Sequence, residues 1–124
     1  MTLPYSDTIV EHFRHPRNYG ALPAPEIAHE DVNPLCGDRI RMELHVSPDQ
    51  TIVAVRFRGD SCLISRAAAS ILTELIQGHT IQEVVVLPAE VLLTALHTPM
   101  RPARLKCALL PLHVLQAGIT AYLS

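Results

Sequence analysis

The chain changes period abruptly at Gly59, and that change limits its fold more than any other feature. Before the glycine the residues alternate. Ile40, Met42, Leu44 and Val46 share one face while Arg39, Arg41, Glu43 and His45 take the other. After the turn residues SPDQ, the run TIVAVRFRG alternates again with Val53, Val55 and Phe57 on the apolar side. A two-residue period places successive side chains on opposite faces of a strand, so the two runs predict an antiparallel hairpin with one buried face. Beyond Gly59 the period is helical: Ile64, Ala67, Ala68, Ile71, Leu72, Leu75 and Ile76 form a broad apolar stripe, ended by Gly78 as a C-terminal cap residue. The helix and the hairpin each need cover for an apolar face, and packing one on the other supplies it.

The flanking segments extend the pattern. YSDTIVEHFR places Tyr5, Ile9, Val10 and Phe13 at helical spacing, with Ser6 as cap and Glu11 and His12 turned outward. Pro16, Gly20, Pro23 and Pro25 then make an ordered connection, and a third strand is expected within residues 26–32. HTIQEVVVLPAEVLLTAL reads as two short helices split at Pro88, with Thr80 and Glu83 as a capping box. HTPMRPARLK reads as a proline-punctuated loop. A last helix runs from about Cys107 to Tyr122, with Pro111 requiring a start near Leu110 or a distorted first turn. The order predicts an α+β fold, a small antiparallel sheet of about three strands packed against helices, in a single domain over residues 1–124.

Composition excludes several classes of function. Aromatic residues make up 4% of the chain and Trp is absent, so the core is aliphatic and stacking platforms for bases are scarce. A net charge of -2 provides no broad basic surface, which argues against nucleic acid as a partner. The richest apolar run, VVVLPAEVLLTAL, is interrupted by Pro88, Glu90 and Thr94, short of a membrane span. The opening MTLPYSDTIV lacks the layout of a secretory signal, so a cytoplasmic protein is expected, with its three cysteines kept as thiols.

Cys36 lies in the Pro/Gly turn of DVNPLCGDRI, Cys62 where a strand gives way to a helix, and Cys107 near a helix start. No C-x-x-C spacing is present. Free cysteine often fills a core, yet cores are built from periodic faces, whereas Cys36 and Cys62 occupy junctions between elements. Helix N-termini carry partial positive charge and favour anionic sulfur. Asp38, two residues from Cys36, can join these thiols; alternatively it closes an Asx-turn as a solvated carboxylate whose removal would leave the fold intact.

Four segments in order, YSDTIVEHFRHPRNYG, NPLCGD, GDSCLISRAAASILTELIQG and RLKCALL, resemble the IscU/NifU N-terminal/SufU family of iron-sulfur cluster assembly proteins, from about Tyr5 to Ala117. The resemblance implies an IscU/SufE-like α+β domain. It also implies that Cys36, Asp38, Cys62 and Cys107 gather at one exposed end to bind zinc or a nascent [2Fe-2S] cluster. Three thiolates and a carboxylate suit tetrahedral zinc and an iron-sulfur centre equally. The implied function is a scaffold, not a turnover enzyme, that receives sulfur from a cysteine desulfurase and passes a cluster to apo iron-sulfur proteins. An alternative is a SufU-like zinc-dependent sulfur acceptor, with Cys36 taking the persulfide; a structural zinc module is a third reading. Arg101 to Lys106 depart from the Leu-Pro-Pro-Val-Lys motif, and Lys106 stands where chaperone-dependent members have histidine, which argues against a dedicated Hsp70 partner. ARLKCA and CLIS look like SufU, but the stretch between Cys62 and Cys107 lacks the helix-sized insertion usual there. Arg39, Arg66, Arg104 and Lys106 flank the set in sequence, and His45, His97 and His113 are read as surface or core residues more than as alternate ligands.

Overall fold

The computed structural model describes residues 5–35 and 37–124. Its sheet consists of β1 (Ile27–Asn33), β2 (Asp38–Val46) and β3 (Ile52–Arg58), in that spatial order and antiparallel throughout. β1 pairs with β2 from Ile27 opposite Leu44 to Asn33 opposite Asp38. Ile40, Met42 and Leu44 are buried as the alternation requires.

On β3 the expected facing fails at Val53, which is 53% exposed. Val46 pairs with Ile52 and His45 with Ala54, so Val53 is the extra residue of a bulge. One inserted residue reverses the facing beyond it, and the buried set becomes Ile52, Val55 and Phe57. Glu43, expected on the polar face, is buried as well, because the loop after α1 folds over that side. Its carboxylate accepts the Leu22 N–H at 2.8 Å and pairs with Arg41 and Arg58 at 2.7 and 3.1 Å. Burial pushes this carboxyl up, but the Leu22 N–H and the two guanidiniums outweigh burial and hold it below the ordinary value.

Among the described residues there are also five helices: α1 (Asp7–Arg14), α2 (Leu63–Ile76), α3 (Ile81–Val85), α4 (Ala89–Ala95) and α5 (Pro102–Leu123). α2 packs against α1, α5 and β3, and α5 also crosses β1 and β2. α2 is therefore buried nearly all round. Ala67, Ala68 and Ala69 keep it slim enough for its neighbours to approach, while Ile64, Leu72 and Ile76 fill the core. The expected caps are present: Ser6 Oγ accepts the Ile9 N–H, Thr80 and Glu83 form a reciprocal capping box, and Gly78 follows α2 with φ +90°.

Two helices depart from expectation. α5 begins at Pro102, not near Cys107 or Leu110, because proline at the first helical position has its φ preset and forfeits no intrahelical bond. RPARLK is thus mostly helix, and Pro111 lies inside it. In α1, His12 points inward and Phe13 is the more exposed residue. His12 Nδ1 lies 2.7 Å from Ser70 Oγ on α2, and that hydroxyl also accepts the Arg17 N–H at 2.8 Å. His12 is drawn inward by the buried Ser70 hydroxyl, a polar spot on the face that α2 turns to α1. No helix among the described residues is long and apolar enough to cross a membrane.

Burial, followed by the nearby Arg17 charge, lowers the His12 pKa from about 6.5, against the pull of Glu74 and Glu11. The unfolded chain therefore takes up this proton first as pH falls. The stability contributed by neutral His12 is complete above the unfolded value and is lost as pH falls through the folded one. Urea titrations from about pH 7.5 to about pH 5 are expected to show a smaller loss of stability in His12→Gln than in the parent. Equal losses would mean that His12 is not a titrating brace between α1 and α2.

Candidate metal centre

The site lies where β2 begins, where α2 begins, and in the second turn of α5. Its first wall is the β1–β2 connection. Asn33, buried and paired with Asp38 across the strands, accepts the Leu35 N–H on its side-chain oxygen at 3.1 Å and the Gly37 N–H on its carbonyl at 2.7 Å. Gly37 has φ +74°, a conformation that glycine adopts without steric cost. Cys36 lies outside the described residues.

The second wall is the exit from β3. Asp60 carbonyl accepts the Arg39 N–H at 2.7 Å, so the chain leaving β3 crosses the start of β2. Gly59 makes that crossing, with φ +143°; a Cβ there would lie 2.1 Å from the Arg39 carbonyl oxygen. The crossing delivers Cys62, the N-cap residue of α2, to Asp38.

Asp38 is not the solvated turn carboxylate that was one reading of the sequence. It opens β2 and is 4% exposed. Its Oδ1 accepts the Cys62 N–H at 2.8 Å, and Oδ2 lies 2.7 Å from the hydroxyl of Ser65, one turn into α2. Asp38 thus caps α2 from another strand, and Cys62 has no side-chain capping bond of its own. Ser65, fully buried, also places its hydroxyl 2.8 Å from the Cys107 carbonyl and 3.7 Å from Cys62 Sγ.

These bonds bring Asp38, Cys62 and Cys107 together, with one ligand atom from each within 4.8 Å of the others. Ligands about 2.3 Å from a shared tetrahedral zinc lie about 3.8 Å apart, so the three would close by up to about 1 Å to share an ion. Two sulfurs and a carboxylate oxygen fit zinc or an iron-sulfur centre better than magnesium or calcium, which prefer all-oxygen shells. Cys62 is half-buried and Cys107 buried, so Asp38 and Cys107 are the sheltered members. Cys107 lies in the second turn of α5, further from the helix start than expected.

Among the described residues no histidine joins this group. His45 faces Glu26 instead, at 3.3 Å. Of the flanking cations, Arg39 pairs with Glu30 at 3.5 Å, and Arg66 stacks 4.8 Å from the Tyr19 ring centroid and 5.9 Å from that of Phe13. Arg104 lines a pocket with Tyr5 and Met100, while Lys106 shares a cleft with Asn33, Leu35 and Cys107. Ser65 was missed in the sequence, although its place three residues after an N-cap is where capping partners recur.

Residues 4–124 match the family model described as NifU-like N terminal domain. The chain is 31% identical over 124 residues to the iron-sulfur cluster assembly scaffold protein IscU of Aquifex aeolicus, covering 99% of this chain and 78% of that one. It is 38% identical over 78 residues to the zinc-dependent sulfurtransferase SufU of Bacillus subtilis, covering 63% of this chain and 52% of that one. A solved structure of a candidate iron-sulfur cluster assembly scaffold protein for the SUF system from Fervidobacterium islandicum AW-1 superposes with a TM-score of 0.79. The identity is 24%, over 94% of this chain and 96% of that one, so this likeness bears on the fold.

Substitutions at Asp38 and Gly59 test how the centre is held. Asp38→Ala leaves the Cys62 N–H at the head of α2 without its acceptor, while the Ser65 hydroxyl keeps the Cys107 carbonyl, with an expected loss of about 2 kcal/mol by urea denaturation of the metal-free protein. Asp38→Asn, which keeps an acceptor, is expected to lose less. Gly59→Ala drives a methyl into the Arg39 carbonyl and is expected to lose about 2 kcal/mol or more in the same assay. A parent-like midpoint in either alanine variant would contradict the corresponding part of this account.

Proposed function

Because the chain belongs to the NifU-like N-terminal domain family, we propose that it is an iron-sulfur cluster assembly scaffold, acting as one domain in the cytoplasm. On this reading it receives sulfur from a cysteine desulfurase and hands a nascent [2Fe-2S] cluster to apo-proteins. The observation that carries the reading is the convergence of Asp38, Cys62 and Cys107 at the ends and first turns of separate elements. Cys36, two residues before Asp38, is assigned as the remaining ligand from the sequence.

The donor set suits a cargo that must leave. Oxygen binds thiophilic iron less strongly than sulfur does, so the Asp38 corner is the one an incoming sulfide or acceptor thiol displaces. Cys62 and Cys107 keep the cluster attached while that corner opens. Lys106, beside the cleft that Cys107 lines, can offset the negative charge of three thiolates and a carboxylate around the iron.

The second reading, a zinc-dependent sulfur acceptor, is favoured by the likeness to the Bacillus protein and by the ARLKCA sequence around Cys107. Here zinc would be held by the same four residues and would keep their sulfurs as thiolates. Cys36, exchanged off the ion, attacks the terminal sulfur of the desulfurase persulfide; that S–S bond breaks and the desulfurase cysteine leaves as thiolate. A purely structural zinc module fits less well, because closed structural sites use cysteine and histidine, not a carboxylate. Neither reading calls for a dedicated Hsp70 chaperone, since the motif is replaced by RPARLKCA.

Anaerobic reconstitution with iron and sulfide is expected to give a cluster that reaches an apo-ferredoxin faster than iron and sulfide are lost to added chelator. Persulfide labelling and activation of a cysteine desulfurase by the zinc-loaded protein, run alongside, test the second reading. Activation without any transferable cluster would reverse the order of the two. Failure to hold either zinc or a cluster would refute both.

A further inference from the structure

Pro111 lies four residues beyond Cys107 within α5. In a continuous helix the N–H of residue 111 would bond the Cys107 carbonyl. Proline has no N–H to give, and a proline ring inside a helix crowds the carbonyl four residues before it. The Ser65 hydroxyl meets the carbonyl at 2.8 Å. The same hydroxyl lies 2.7 Å from Asp38 Oδ2. A serine hydroxyl carries one hydrogen, so two acceptors compete for a single proton.

We propose that Ser65 is a positioning residue that tunes how firmly Asp38 holds metal, and that Pro111 sets the tuning by drawing the Ser65 proton toward the Cys107 carbonyl. This rests on Asp38, Cys62 and Cys107 being ligands, as argued above. A hydrogen bond to a ligating carboxylate oxygen withdraws electron density and weakens the oxygen as a donor. While Ser65 serves Cys107, Asp38 is the stronger ligand; when the proton turns to Oδ2, that corner loosens. Ser65 is fully buried, so water does not relieve the competition. The connection runs from a proline in α5, through a cysteine carbonyl and a serine in α2, to a carboxylate on β2. Each link is a contact in the structure or the absence of an N–H fixed by covalent chemistry.

The competition makes opposite-signed predictions for two substitutions that would both simply loosen a structural brace. Pro111→Ala returns an N–H to the Cys107 carbonyl and leaves the Ser65 proton to Asp38, so zinc release to a chromophoric chelator is expected to be about threefold to tenfold faster than in the parent. Adding Ser65→Ala to Pro111→Ala removes that proton while the carbonyl stays served by its own helix, and release is expected to return to the parent rate or slower. Ser65→Thr in place of Ser65→Ala keeps the hydroxyl and is expected to preserve fast release. Ser65→Ala alone removes a buried hydrogen bond to the Cys107 carbonyl and can fail to fold, so the double variant carries the test.

Thiolate-to-cobalt charge-transfer intensity in the Co(II)-loaded proteins checks that every variant keeps its sulfur ligands. Release from Pro111→Ala no faster than from the parent, a double variant as fast as Pro111→Ala, or lost charge-transfer intensity would each overturn the proposal. Those results, in a parent that binds zinc and cobalt, would leave the metal-site reading standing. A parent that binds neither metal would sink that reading and this one with it.

Discussion

The Asp38 carboxylate ties the start of β2 to the head of α2, and the rest of the site is arranged around that tie. One oxygen takes the N–H at the head of α2 and the other meets the Ser65 hydroxyl, which also touches the α5 backbone at Cys107. A strand and two helices thus meet on one buried polar group. Such a group is costly to bury without partners and rigid when its partners are in place, so the network defines the site as much as the sulfur atoms do. The Asp60 to Arg39 backbone bond and the tight passage at Gly59 serve the same end, by bringing the head of α2 to the start of β2.

Gathering two sulfurs and a carboxylate in a sheltered place opposes folding when no metal is bound, because a carboxylate must be withdrawn from water. The aliphatic core offsets that tendency. Ile64, Leu72 and Ile76 of α2 are at most 1% exposed, and burying each such side chain contributes on the order of 1.5 to 3 kcal/mol. The helix that presents Cys62 is therefore also the helix most deeply packed, and the thiol is presented from a stiff base. Leu35, by contrast, is 77% exposed in the turn just before Cys36. Leu35 also lines the cleft that Lys106 and Cys107 share.

This combination suits a protein that handles a cargo. A closed structural zinc site gains from four strong, equivalent ligands. Here one member of the donor set is a carboxylate that already has work within the fold, so a bound metal and the protein would compete for it. The site can be well ordered and still let go, because the energies in competition are those of single hydrogen bonds, not of a whole coordination shell.

Much of this was legible in the sequence. The change of period at Gly59 established the hairpin and the central helix, and Ser6, Thr80, Glu83 and Gly78 acted as caps because capping is decided within a few residues along the chain. The placing of Cys62 at a helix start followed from the same local rules. What failed were features that depend on distant contacts. Val53 faces outward because of a bulge set by pairing with Val46 and His45. His12 turned inward because Ser70, far along the chain, offered a partner. Asp38 became a buried cap because α2 was brought beside it, and Ser65 reached the Cys107 carbonyl because α2 and α5 pack together. Periodicity, capping and residue chemistry are properties of short stretches and belong to the sequence by itself. Which polar groups meet across the core is decided by packing, since only the assembled helices and strands bring those atoms within bonding distance.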